Sequence, residues 1–198
     1  TKLSFAALGV FLSSSFLSLN ALAAPVQGWL DWRGPEQNGV SRETGLRVKI
    51  SAEEPLWTAD FPGASTAVVA NGKVYIMGFL GEGANLQEGV ACFDAETGEK
   101  LWQQLSNDYL SDIIYQRYAT SSPTIDPATG NVFIQGTQGL LQGYTGDGKP
   151  LWTVPMMELY GRLTFPNGRT ASPIVDQDLV LTRGITANWG ANGPAGDR

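Results

Sequence analysis

Two short loops and one glycine-rich segment carry the side chains best suited to bind a ligand. Arg117 and Tyr118 lie a few residues before a Ser-Pro pair, Arg169 lies just before a second pair, and Trp189 follows in the glycine-rich segment. A planar guanidinium pairs well with carboxylate oxygens, and an aromatic ring packs against a sugar or another ring. These four residues are therefore predicted to border one ligand site. The alternative is that the arginines pair with surface acids and Trp189 packs inside the fold.

The chain lacks the side chains that most acid–base and metal chemistry uses. It contains no histidine and a single cysteine, Cys92, which excludes histidine-based catalysis, paired cysteines and a c-type haem attachment motif within this sequence. Carboxylates are plentiful, but none has the spacing of a calcium-binding loop. The glycine-rich residues 81–83 are not followed by the Lys-Ser or Lys-Thr of a phosphate-binding loop. We therefore predict no catalytic residue and no metal ligand.

A repeated segment must position these loops. Residues 92–102 have the pattern strand, tight turn, strand, and residues 142–152 repeat it. Leu-Trp pairs end at Trp57, Trp102 and Trp152, which are 45 and 50 residues apart. Self-similarity at this period is typical of arrays in which each unit buries the apolar face of its neighbour.

A second motif recurs in register with the first. It is a short apolar run, a polar turn and a second apolar run, which predicts a hairpin, and its three copies cover residues 66–78, 122–136 and 172–184. Asn71-Gly72 suits a type I′ turn, and Asp176 and Asp178 are predicted to flank the third turn. Two further strands per full unit are predicted over residues 90–94, 101–104, 140–144 and 151–154. Four short strands per repeat predict an all-β chain, a β-propeller of four-stranded antiparallel blades.

The chain divides into three parts. Residues 1–23 are predicted to be a signal peptide, with Lys2 before an apolar run and a small-x-small cleavage site ending at Ala23. A retained membrane anchor is the alternative. Residues 24–50 form a lead segment, and residues 51–198 form a partial propeller of two full blades and partial blades. We expect a fragment of a longer chain with an open sheet edge, and hence poor solubility.

The net charge and the predicted signal peptide limit the possible partners and the cellular location of the protein. Without Lys2, the chain has 12 basic and 19 acidic side chains, a net charge near −7. This balance argues against nucleic acid and against anionic lipid. Ala24 and Pro25 follow the leader instead of a lipid-bearing cysteine, so a periplasmic or secreted protein is predicted. Cys92 is predicted to be a small buried hydrophobe.

Residues 94–102, Asp-Ala-Glu-Thr-Gly-Glu-Lys-Leu-Trp, resemble the tryptophan-docking motif of PQQ-type (quinoprotein) β-propellers. That motif runs Ala-x-Asp-x-x-Thr-Gly-Lys-x-x-Trp. In that family the tryptophan stacks between neighbouring blades, and the Thr-Gly turn holds the outer strands together. The resemblance implies a blade-docking role for Trp57, Asp94, Thr97, Gly98, Trp102, Gly148 and Trp152.

The resemblance is incomplete in places. Cys92 and Glu99 depart from the motif in the first copy, and Tyr144 and Asp147 replace its Asp and Thr in the second. Residues 31–46 are similar to the opening of exported PQQ-like repeat proteins. Their Trp32 and Arg33 are interpreted as part of a peptide that packs on the propeller and closes the ring, with a ligand role as the alternative.

The resemblance implies two functions. The first is a binding or interaction scaffold whose partner is a protein, a small molecule or a glycan. The alternative is a PQQ- and calcium-dependent quinoprotein oxidoreductase acting on alcohols or sugars. No cofactor is evident in these residues, and PQQ with calcium belongs only to the alternative. A fold alone does not choose between them, because function depends on the site.

Overall fold

A computed structural model of the chain describes residues 24–51, 53–107, 118–160 and 171–184. The predicted signal peptide lies outside the described residues. The chain is mostly antiparallel β-sheet, as the all-β prediction requires, and its strands form three sheets. No helix in the described ranges has the length and apolarity needed to cross a membrane.

Sheet 1 contains five strands in chain order. They are β1 (Gly28–Trp29), β2 (Val68–Ala70), β3 (Lys73–Leu80), β4 (Gln87–Asp94) and β5 (Lys100–Asn107). Each strand pairs antiparallel with the next. A 3-10 turn over Gly83–Asn85 connects β3 to β4.

Sheets 2 and 3 follow the same course. Sheet 2 contains β6 (Thr124–Ile125), β7 (Val132–Gln135), β8 (Leu140–Tyr144) and β9 (Pro150–Pro155), and sheet 3 contains β10 (Ile174–Asp176) and β11 (Leu179–Leu181). A short helix, α1 (Met156–Tyr160), follows β9 and is absent from the elements that the sequence predicts.

Turn chemistry explains the hairpins that begin sheets 1 and 3. Asn71 and Gly72 between β2 and β3 both have positive φ angles, 50° and 71°, as a type I′ turn demands. The turn between β10 and β11 places Gln177 at φ 56°. Asparagine and glycine adopt this conformation at low cost, so the first of these turns is encoded locally.

The lead segment does not stand apart from the sheets. It contributes β1, which pairs with β2 so that Gly28 faces Ala70. On its other side, Leu30 accepts a hydrogen bond from Ile125 N at 2.8 Å, and Val26 N donates to Pro127 O at 2.7 Å. The segment thus lies between the first hairpins of sheets 1 and 2. It satisfies backbone groups of β2 that would otherwise lack partners, which is why sheet 1 has five strands and not four.

The two largest buried clusters of the described residues lie between sheets 1 and 2. One cluster joins Val68, Tyr75 and Cys92 of sheet 1 to Ile125 and Val132 of sheet 2. A second joins side chains of the two sheets further along, namely Met77, Val90, Ile134 and Tyr144. Burying each large apolar side chain stabilises the fold by about 1.5–3 kcal/mol. The face-to-face contact of the sheets therefore holds their loops in a constant relation.

Sheet 3 is less covered than the other two. Strand register makes Ile174 equivalent to Val68, and Leu181 equivalent to Tyr75. Ile174 and Leu181 are 41% and 47% exposed, whereas Val68 and Tyr75 are 0% and 4% exposed. In sheet 1 these side chains pack against Ile125 and Val132 of sheet 2, whereas no buried cluster of the described residues includes Ile174 or Leu181.

Candidate functional site

Trp57 docks on the turn between β4 and β5. Its indole N–H donates to Ala95 O at 3.0 Å, and its ring stacks on Phe93 with centroids 6.1 Å apart. Gly98 lies beneath the ring at φ +73°, where an added Cβ would come within 2.6 Å of the indole. Only glycine allows both the backbone conformation and the close approach.

Trp102 makes the same arrangement with the turn between β8 and β9. Its indole N–H donates to Gly146 O at 3.1 Å. Gly148 lies under the ring at φ +80°, again with only 2.6 Å for a Cβ. The rings of Tyr75 and Tyr144 flank it at 5.9 and 6.4 Å. Trp102 therefore connects sheet 1 to the outer turn of sheet 2.

Trp152 occupies the equivalent position in sheet 2. Its ring stacks on Phe133 at 5.4 Å with an interplanar angle of 19°, and it lies against Gly143. Val180 of sheet 3 packs on the same cluster. Within the described residues, no glycine turn receives this indole in the way that Gly98 and Gly148 receive the other two.

The turn that holds Trp57 is organised by a carboxylate. Asp94 Oδ1 accepts hydrogen bonds from Thr97 N at 2.8 Å, Thr97 Oγ1 at 3.0 Å and Glu96 N at 3.0 Å. The bonds from Thr97, first from its backbone and then from its hydroxyl, lower the pKa of Asp94. Asp94 and Thr97 thus shape the turn.

The structure describes one of the four predicted ligand-site residues. Arg117, Arg169 and Trp189 lie outside the described residues. Tyr118 packs against Phe79 of β3, with ring centroids 5.4 Å apart. Its described contact therefore belongs to the junction between sheets 1 and 2.

A buried carboxylate, which the sequence pattern did not single out, fixes the chain beside Tyr118. Glu88 is 3% exposed and accepts hydrogen bonds from Ala119 N at 2.6 Å, Thr137 N at 2.8 Å and Thr137 Oγ1 at 2.9 Å. A buried carboxylate is tolerated only when its oxygens are satisfied in this way. Glu88 therefore holds the chain that leads into sheet 2 against sheet 1.

A cleft of about 500 Å³ opens beside the starts of β2, β6 and β10. We call it the hydroxyl cleft, and its walls include Trp32, Thr66, Thr120, Ser122, Ser172 and Arg183. No acidic side chain is among the described residues that line it. Its volume is within the range of small-molecule sites in proteins.

Three hydroxyl residues at the floor and sides of this cleft occupy equivalent repeat positions. Each lies two residues before a strand: Thr66 before β2, Ser122 before β6 and Ser172 before β10. Thr66 N donates to Ser122 Oγ at 2.9 Å, and Ser122 N donates to Ser172 Oγ at 2.9 Å. An acceptor hydroxyl keeps its own proton for another partner. The sheets are thus linked by one repeated hydrogen bond whose serines retain a donor.

The loop after β1 brings an aromatic side chain to the cleft. Asp31 Oδ1 accepts a hydrogen bond from Arg33 N at 2.6 Å, and Gly39 N donates to Arg33 O at 2.8 Å. Burial raises the pKa of Asp31, although its backbone hydrogen bonds act in the opposite sense. Trp32 is 50% exposed and has the Arg33 guanidinium 5.6 Å from its ring centroid. The sequence interprets Trp32 as a packed closing residue with a ligand role as the alternative, and its place on the wall of the cleft is the observation that favours the alternative.

Arg183 stands on the far wall of the cleft. Its backbone carbonyl accepts a hydrogen bond from Gln135 Nε2 at 3.2 Å, and Gln135 Oε1 accepts one from Thr182 Oγ1. Gln135 is buried in sheet 2, so it fixes the backbone from which the exposed arginine projects. The sequence offers no local signal for this pairing, because 48 residues separate the two partners.

Within the described ranges, no group of three or more Cys, Asp or Glu side chains is placed to hold a metal ion.

Comparison of the sequence with models of known protein families returns no match, and comparison with curated proteins returns no relative.

Proposed function

We propose that the chain is part of an exported PQQ-like β-propeller repeat protein that acts as a binding or interaction scaffold. In this proposal the three sheets are successive blades, and β1 lies along the inner edge of the first. Two interactions support it, because each recurs at equivalent positions. Trp57 and Trp102 dock on equivalent turns, and the backbone-to-serine hydrogen bond links sheet 1 to sheet 2 and sheet 2 to sheet 3. A regular array of units produces such repetition.

The observation that carries a binding role is the hydroxyl cleft. In a propeller, the first strand of each blade faces the central axis, so this cleft would open at one end of the axis. Hydroxyl residues and a half-exposed indole line a space of about 500 Å³ there. Concave sites with an aromatic wall and a few convergent polar groups are typical of ligand binding.

The oxidoreductase alternative has no support in the described lining of the cleft. Calcium takes six to eight oxygen ligands, with carboxylates prominent among them. The described walls of the cleft contain hydroxyls and no carboxylate. These residues therefore do not fit a calcium ion with PQQ, and we derive no oxidation step from them.

A binding screen tests the scaffold proposal. Residues 24–198 would be screened on a glycan array and titrated with PQQ in the presence of calcium. Any ligand found would then be measured by isothermal titration with Trp32→Ala and with Trp32→Phe. We expect Trp32→Ala to weaken binding about tenfold or more, since it removes an aromatic wall, and Trp32→Phe to retain most of it.

Two results would count against the proposal. Binding that Trp32→Ala leaves unchanged would place the ligand outside the hydroxyl cleft. A stoichiometric PQQ complex with dye-linked oxidation of alcohols or sugars would favour the oxidoreductase. Melting temperatures of both variants serve as the control for folding, because Trp32 is half exposed and neither substitution opens the core.

A further inference from the structure

The charge and shape of the hydroxyl cleft point to one class of ligand. We propose that the cleft binds an anionic oligosaccharide, in which carboxylate or sulfate groups provide the charge. This inference rests on the proposed function, since it assigns a ligand to the same cleft. Three features of the described walls carry it: the indole of Trp32, the hydroxyl residues and the cationic residue Arg183.

The indole of Trp32 provides a flat surface suited to a sugar ring. The guanidinium of Arg33 lies over the Trp32 ring, 5.6 Å from its centroid. Trp32 is nevertheless 50% exposed and lines the cleft. The C–H face of a pyranose packs on an aromatic ring through dispersion and burial of apolar surface. A stacked guanidinium also restrains the indole, so less side-chain freedom is lost on binding.

The hydroxyl residues provide hydrogen-bond donors beside that surface. Ser122 and Ser172 use their oxygens to accept backbone N–H groups, and within the described ranges no protein acceptor is found for their hydroxyl protons. Ser122 is buried at the floor, whereas Thr66 is exposed at the rim. Sugars display many oxygens that both accept and donate, and hydroxyl side chains match them in either role.

Charge distinguishes an anionic sugar from a neutral one. The whole chain has a formal net charge of −6, yet the described lining of the cleft includes Arg183 and no acid. The two ion pairs found in the described ranges use Arg42 and Lys73, and neither of them involves Arg183. An acidic protein with a local cationic cleft directs anions to that cleft, and guanidinium binds carboxylate and sulfate oxygens in pairs.

Length-matched tetrasaccharides test this inference. A uronic acid tetrasaccharide, a sulfated galactan tetrasaccharide and a neutral glucose tetrasaccharide would be titrated into residues 24–198 at low and high salt. We expect the charged sugars to bind roughly tenfold or more tightly than the neutral one, with the difference shrinking at high salt. The order of the two charged sugars identifies whether carboxylate or sulfate is preferred.

Two arginine variants supply the matched comparison. Arg183→Gln should weaken the charged sugars by about tenfold or more and leave the neutral sugar unchanged. Arg42→Gln removes an equal charge outside the cleft, from an exposed pair with Glu36, and should change neither. Equal losses in both variants would indicate a general effect of net charge and overturn the inference.

The remaining outcomes separate this inference from the proposed function. In one outcome, the neutral sugar binds as tightly as the charged ones, Arg183→Gln leaves the affinity unchanged and Trp32→Ala lowers it. This outcome overturns the anionic ligand but supports the cleft as a binding site. The absence of binding by all three sugars also overturns the inference, while a different ligand lost in Trp32→Ala would retain the scaffold. Ligand binding that is insensitive to both Trp32→Ala and Arg183→Gln overturns both.

Discussion

Replacing Gly148 with alanine tests whether the docked tryptophans connect the sheets. Gly148 has a φ of +80°, and an alanine Cβ there would come within 2.6 Å of the Trp102 ring. The left-handed conformation costs a non-glycine residue about 1–2 kcal/mol. The indole must then move, which weakens its hydrogen bond to Gly146 O, worth about 1 kcal/mol, and loosens its packing against Tyr144. We expect a total destabilisation of about 3 kcal/mol.

Gly72→Ala is the matched control for this variant. Gly72 has a φ of +71°, with nothing within 4 Å of an added Cβ, so it should lose about 1–2 kcal/mol from backbone strain alone. The difference between the two variants isolates the contact with Trp102. At about 2–4 °C per kcal/mol for a chain of this size, Gly148→Ala should melt several degrees below Gly72→Ala.

Urea and thermal unfolding followed by tryptophan fluorescence measure this difference. The emission of native Gly148→Ala should also shift to longer wavelength, because Trp102 becomes more exposed. Equal destabilisation in the two variants, with unchanged native emission, would refute the docking argument. It would show that the indole adjusts without loss and that the glycine is required for its φ angle alone.

Two further predictions concern ionisable groups. Hydrogen bonds lower the pKa of Asp94 in the folded state, so the stabilisation that the carboxylate provides is present above its unfolded pKa and is lost as the pH falls through its folded pKa. The difference in unfolding free energy between wild type and Asp94→Asn, measured by urea unfolding, should therefore narrow from pH 6 towards pH 3. Parallel pH profiles of the two proteins would contradict this prediction. Burial raises the pKa of the Cys92 thiol from 9.0 to about 11, so the native thiol should resist a thiol reagent at pH 8 and react fully in urea. The unfolding free energy should also fall as the pH rises from 9 towards 11. Rapid labelling of the native chain would contradict this prediction, because it would show that Cys92 is accessible.

The strands and turns of this chain could be predicted because their signals are local. The alternation of apolar residues, with turn residues at fixed offsets, predicted strands near the observed β3, β4, β5, β7, β8 and β9. Asn71-Gly72 predicted its own turn, since the preferred φ angles belong to those two residues. Cys92 was predicted to be buried from its place in a strand, and it is 0% exposed.

The hydroxyl cleft could not be predicted in the same way. Residue types pointed to Arg117, Arg169 and Trp189, which lie outside the described residues, and to a packing role for Trp32. No local pattern indicates that residues 28–29 pair with residues 69–70, because a strand of two residues is too short to show an alternation of apolar side chains. Glu88 likewise had no signal, since a carboxylate at a strand position is usually solvent-facing.

The sequence by itself determined the repeat, the positions of most strands and the tryptophan that occurs once in each of the three units. These features depend on turn conformations and on the alternation of apolar residues, both of which are set by residues close together in the chain. The tertiary structure alone decided that the lead segment joins sheet 1 and that Trp32, Thr66, Ser122, Ser172 and Arg183 surround one cleft. The physical reason is that these residues meet only through packing of one sheet against another, which buried contacts such as Met77 with Ile134 set across more than fifty residues of chain.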